Sequence, residues 1–106
     1  NCLVRGNRGP GIALYKRAAD VTIRNCTIAR NRGDGILAVT AIDCVFTDNI
    51  IQGNNLRGIF VRTGSRNVRI TGNRFEGNGR RHKDKQQIRI AEDSEATRIE
   101  ADNVFE

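Results

Sequence analysis

The stretch Val68-Arg69-Ile70-Thr71-Gly72-Asn73-Arg74-Phe75-Glu76-Gly77-Asn78 decides the fold. Val68 and Ile70 alternate with polar residues, Gly72-Asn73 interrupts, Phe75 stands alone, and Gly77-Asn78 interrupts again. Alternation over runs this short, bounded by Gly and Asn, reads as strands joined by tight turns. Upstream, every marked position recurs. Cys2, Cys26, Asn49 and Asn73 step by 24, 23 and 24 residues, as do Val4, Ile28, Ile51 and Phe75. Asn7, Asn31, Asn54 and Asn78 keep the same steps. Two further columns run through Val21, Cys44 and Val68, and through Ile23, Phe46 and Ile70. Downstream, Asn103 and Phe105 reproduce Asn73 and Phe75.

Each repeat supplies three short strands: Ile12 to Tyr15, Val21 to Arg24, and Thr27 to Arg30, with their equivalents. A unit of about 23 residues cannot bury its own apolar side. Stacked at the ~4.8 Å spacing of neighbouring strands, such units bury a continuous column of Ile and Val. The expected fold is all-β, a right-handed parallel β-helix of about four coils. Residues 1–106 form one such segment. It enters the repeat directly at Asn1, which is expected of the C-terminal part of a longer solenoid. The repeat is broken once, by an insertion loop over 79–87.

Composition agrees. The 106 residues carry 18 Lys plus Arg against 12 Asp plus Glu, a net charge of +6. Fifteen of the 18 cations are arginine. Gly and Asn contribute 11 residues each, and Ile plus Val contribute 19, too many and too regularly placed for a disordered chain. No apolar run is long enough to span a bilayer. Three cysteines without a Cys-x-x-Cys pair are no disulfide framework, and they leave the redox compartment open.

The columns read first as structure. Asn49, Asn73 and Asn103 suit a ladder of stacked amides in turns that need a left-handed backbone. Cys2 and Cys26 occupy the same column in earlier coils, where two stacked free thiols are expected. A bond between them is within reach of the Cα spacing, but in-register side chains point the same way, which disfavours it. Cys44 belongs to the core. Gly11, Gly35 and Gly58 are expected to relieve a turn.

The Val68–Asn78 stretch and the Gly-Ile repeats at 11–12, 35–36 and 58–59 resemble the right-handed β-helix repeats of the pectate-lyase-like superfamily. They are most similar to its short-repeat members, the mannuronan C5-epimerases and the nitrous-oxide-reductase accessory β-helices. The resemblance covers the whole chain and is specific for fold rather than for chemistry. It implies a carbohydrate-active protein that binds or processes an acidic polysaccharide by lyase or epimerase chemistry, in an extracellular or periplasmic setting. The alternative is a structural or adhesive β-helix, such as a phage tailspike or surface protein.

In enzymes of this kind the glycan lies along the face of the first strand. Its outward columns here are Ala13, Leu37, Phe60 and Arg89, and Tyr15, Val39, Arg62 and Ala91. Neither holds a carboxylate, and the epimerase motif Asp-Pro-His is absent, so no complete catalytic set is visible and whether the segment is an enzyme stays open. No metal site or cofactor is expected. Tyr15 and Phe60 are candidates for sugar stacking, Arg62 and Arg89 for holding carboxylate or sulfate, and His82 for a general base. Leu37, Val39 and Phe60 form an apolar strip, to be covered by a loop or the rest of the solenoid, or by a homo-oligomer partner. Nucleic acid is disfavoured, because stacking aromatics are scarce and no recognition motif appears.

Overall fold

The computed structural model describes residues 2–79, 87–92, 94 and 96–106. Thirteen strands, numbered in chain order, build three parallel sheets. One stacks β1 (Cys2–Arg5), β4 (Cys26–Ala29), β7 (Ile50–Gln52), β10 (Arg74–Glu76) and β13 (Val104–Phe105). The second stacks β2 (Ile12–Leu14), β5 (Ile36–Ala38), β8 (Ile59–Val61) and β11 (Ile88–Ile90). The third stacks β3 (Thr22–Arg24), β6 (Val45–Thr47), β9 (Arg69–Thr71) and β12 (Arg98–Ile99). Every strand pairs with its equivalent one coil away, so the chain is a parallel β-solenoid.

Register follows the columns of the sequence: Val4, Ile28, Ile51 and Phe75 are successive partners, as are Ile23, Phe46 and Ile70. Strands end where the backbone turns left-handed. Lys16 and Arg17 stop β2 before Tyr15, and Arg30 stops β4. Asp20, Asp43 and Asn67 precede β3, β6 and β9 in the same conformation, and Asn25 and Asp48 follow β3 and β6. Asn and Asp carry that geometry at lower cost than other non-glycine residues. The left-handed backbone expected at Asn49, Asn73 and Asn103 is not there, and falls instead on Asp48 and Gly72 just before the first two.

Ile28, Ile36, Phe46, Ile51, Ile59, Val61, Val68, Ile70 and Phe75 are fully buried. Each contributes roughly 1.5–3 kcal/mol relative to exposure. Val4, Ile12, Leu14 and Val21 at one end, and Ile88 and Ile90 toward the other, are only partly buried because they have a neighbouring coil on one side only.

Two asparagine ladders run inside the turns. Asn49 donates from its backbone N and its Nδ2 to Asn73 Oδ1, both at 3.0 Å, and Asn73 does the same to Asn103 Oδ1 at 3.0 and 3.2 Å. Asn7, Asn31, Asn54 and Asn78 repeat the arrangement, with amide-to-amide distances of 2.8–2.9 Å. Nδ2 of Asn49, Asn54 and Asn73 also donates backward to a backbone carbonyl, of Ile23, Ile28 and Phe46. The buried amides are thereby satisfied in both directions along the solenoid.

Two expectations are corrected here. Cys2 and Cys26 are not stacked free thiols; they form a disulfide, with Cα atoms 4.6 Å apart. Parallel Cα–Cβ directions do not prevent this, because each sulfur can swing about χ1 toward its neighbour. Cys44 is free and buried. Gly11, Gly35 and Gly58 do not relieve a turn either, since none has a positive φ. They permit close approach of the next coil: a Cβ on Gly35 would lie 2.6 Å from the Gly58 carbonyl oxygen and 2.7 Å from Ile51.

Candidate functional site: a cationic groove on the second sheet

The outward face of β2, β5, β8 and β11 carries the candidate residues. Pairing places Ala13, Leu37, Phe60 and Arg89 in one column. The backbone bonds Val39 N to Leu14 O, Arg62 N to Ala38 O and Ala91 N to Val61 O extend the register to Tyr15, Val39, Arg62 and Ala91. The solenoid thus sets outward side chains of successive coils one strand spacing apart.

Phe60 is the centre of the arrangement. Its ring is half-buried and meets three guanidinium groups: Arg57 Cζ lies 4.6 Å from the centroid, Arg89 5.6 Å and Arg62 5.7 Å. Each cation is attracted by the ring face, while the three repel one another. Arg62 and Arg89 are exposed while Arg57 is buried, so an anion approaching the ring meets the first two. Two ion pairs, Arg69 with Glu100 and Arg74 with Glu106, lie elsewhere on the surface.

The turns before β2, β5 and β8 rise beside this face and make the second wall of a groove of about 460 Å³. Arg8, Arg32 and Arg57 line that wall, while Tyr15, Leu37, Phe60 and Arg62 line the sheet side. Asp34 anchors the wall, its Oδ1 accepting the backbone N–H of Arg57 at 2.8 Å. A second depression continues past Phe60 and Arg62 to Arg89 and Glu92.

The structure therefore brings Phe60, Arg62 and Arg89 together and puts Tyr15, 52% exposed, at the far end of the same groove. His82 lies outside the described residues, as do residues 80–86 of the insertion. Leu37 is buried and Val39 and Phe60 are half-buried, so the chain itself already covers much of the apolar strip with its turns and arginines. Sequence reasoning missed Arg57, whose signal was available: it immediately precedes a Gly-Ile pair.

No group of three or more His, Cys, Asp or Glu side chains that could hold a metal occurs among the described residues. Among the same residues no helix is long and apolar enough to cross a membrane. A family model described as right handed beta helix region matches residues 1–104. No curated protein and no solved structure matches the chain.

Proposed function

Because the chain belongs to the right handed beta helix family, we propose that its groove binds an acidic polysaccharide, a uronate-bearing or sulfated glycan lying across the coils. The observation that carries this is the convergence of the exposed Arg62 and Arg89 on the Phe60 ring. The guanidinium forks suit carboxylate and sulfate oxygens. Phe60 and Tyr15 offer apolar faces to sugar rings, and Arg8 and Arg32 add charge on the opposite wall. Binding is the part this groove supports; lyase or epimerase turnover is carried over from the resemblance alone. An extracellular or periplasmic setting goes with this reading, and a Cys2–Cys26 disulfide persists in such a compartment.

The test is proton NMR of a panel of polyuronates and sulfated glycans mixed with the protein, read for line broadening and for new unsaturated or epimerised sugar signals. Broadening that weakens about 10-fold or more in Arg62→Ala or Phe60→Ala supports the groove, since one charge-assisted bond is worth roughly 1.5–3 kcal/mol. Affinity should also fall as salt rises. Unbroadened, unchanged spectra sink glycan binding by this segment.

The structural or adhesive reading keeps one observation of its own, the exposure of Tyr15 beside the apolar Leu37 and Val39. It predicts a stable trimer in sedimentation equilibrium that Tyr15→Ser dissociates.

A further inference from the structure

We propose that Asn78-Gly79 is a deamidation site that the folded solenoid holds in check, so that Asn78 records the time a chain spends unfolded. The site stands whether or not the groove takes a glycan.

Of the 11 asparagines, Asn78 alone is followed by glycine. The chemistry needs the Gly79 backbone nitrogen to attack Asn78 Cγ, and glycine has no Cβ to crowd that nitrogen. Asn7, Asn31 and Asn73 precede arginine, and Asn49 and Asn103 precede β-branched residues, which screen the same approach. Water balances the reaction. Gly79 N bonds to Asn78 Cγ, the Cγ–Nδ2 bond breaks, and the Gly79 proton leaves with the amide nitrogen as ammonia. Water then opens the cyclic imide at one carbonyl or the other and leaves aspartate or isoaspartate. No oxidant or reductant takes part.

In the fold both reacting groups are already engaged. Asn78 is buried, and its Oδ1 accepts the backbone N–H of Asn54 at 3.1 Å and the Asn54 Nδ2 at 2.8 Å. Asn78 Nδ2 donates to the Ile51 carbonyl and to Gln87 Oε1, both at 2.8 Å. The Gly79 N–H donates to the carbonyls of Asn54 and Leu56. Turning Cγ toward the Gly79 nitrogen breaks the bonds of the amide, and freeing that nitrogen breaks its own. The reaction therefore waits for this rung of the ladder to open.

The product cannot take the amide's place. A carboxylate at position 78 has no N–H for the Ile51 carbonyl or Gln87 Oε1, and it faces both oxygens with a negative charge. Isoaspartate also lengthens the backbone just ahead of Gly79. Gln87 leads into β11, and its carbonyl accepts the Ile59 N–H at 3.0 Å as the β8–β11 pairing begins. A chain marked at Asn78 while unfolded thus loses a bond that seats β11, the strand carrying Arg89.

The test keeps the whole chain with its disulfide in mildly alkaline buffer, with and without urea. Peptide mapping reads the mass gain of amide-to-acid conversion. In urea Asn78 should convert first among the asparagines. In buffer it should convert at least about 100-fold more slowly, since only opened molecules react. Gly79→Ala should halt the conversion in urea, where folding plays no part. Gln87→Ala removes one acceptor of Asn78 Nδ2 and should speed conversion in buffer roughly 10-fold while leaving the urea rate unchanged. Marked chains returned to buffer should exchange amides faster at Ile88–Ile90 than unmarked chains of the same sample. Equal rates with and without urea, another asparagine converting first, no response to either substitution, or marked chains that protect Ile88–Ile90 as well as unmarked ones each overturns the proposal.

Discussion

Among the described residues, the two ends of the strand stack are held by opposite means. The first is tied covalently, through Cys2 and Cys26. The last is tied by carboxylates. Asp102 accepts from Thr71 Oγ1 and from Gly72 N, Glu100 pairs with Arg69 at 3.2 Å, and Glu106 with Arg74 at 2.7 Å. The asparagine ladders explain part of the difference, because they are directional. Each coil donates forward to the Oδ1 of the next. In this structure the Asn7 end of its ladder presents an acceptor, whereas Asn78 and Asn103 at the other end present donors. Those donors are met locally. Gln87 Oε1 accepts from Asn78 Nδ2 at 2.8 Å, and the Glu100 carbonyl accepts from Asn103 Nδ2 at 2.6 Å. A free acceptor facing water costs little, while a buried orphan donor costs ~1–3 kcal/mol.

The largest test of this asymmetry is the pair Asn103→Ala and Asn7→Ala. Asn103→Ala removes the acceptor of two buried Asn73 N–H groups and should cost about 2–3 kcal/mol in urea unfolding. Asn7→Ala removes one Nδ2 donor from Asn31 Oδ1, which keeps the Asn7 backbone N–H, and should cost about 1 kcal/mol or less. Equal losses would refute a directional ladder. Next comes Phe105→Ala. The ring stacks on buried Phe75 with centroids 5.0 Å apart but is itself half exposed, so its loss should be only about 1–1.5 kcal/mol. That loss should appear as faster exchange in β10 and not in β4.

Acid should separate the two ends without any mutation. The Gly72 N–H, and after it the Thr71 hydroxyl, hold Asp102 below the usual carboxylate range. Below the ordinary value of about 4 the unfolded chain takes up this proton before the folded one does. The contribution is therefore complete above that value and drains away as pH falls through the lowered one. Amide exchange over residues 98–106 should accelerate in that window while β1–β3 stay protected by the disulfide. The smallest effect is expected of Arg74→Ala. Its guanidinium is raised from its ordinary range, first by the hydrogen bond to Glu106 and then by that residue's charge. The pair is solvent-exposed and screened, so the unfolding midpoint should not move measurably.

The three-sheet stack, the Ile and Val columns and the asparagine ladders were legible in the sequence because they repeat. A period of 23 or 24 residues aligns each position with its neighbours in space. What occurs once was not legible. Gln87 falls in the register of Gly58, four residues past the ladder position of Asn54, and nothing in its surroundings marks it as the cap of Asn78. The disulfide depends on side-chain rotation, which spacing does not encode. Among the site residues, Phe60, Arg62 and Arg89 could be placed together because strand pairing alone puts them there. The opposite wall could not, because the height of the turns carrying Arg8, Arg32 and Arg57 depends on how the chain folds over Leu37. Gly11, Gly35 and Gly58 were visible as a column, but whether they serve a turn or a contact depends on how closely coils approach.

That close approach makes the groove a short ruler. Its gradations are the coils, ~4.8 Å apart, and Tyr15, Leu37 and Phe60 mark only three of them. A polymer whose repeat misses this spacing by a tenth slips about 0.5 Å per coil, and so about 1 Å from Tyr15 to Phe60. Side chains as long as arginine absorb such a slip. Three gradations therefore measure how densely a chain is charged, not which sugar carries the charge, and finer discrimination would need more coils in phase.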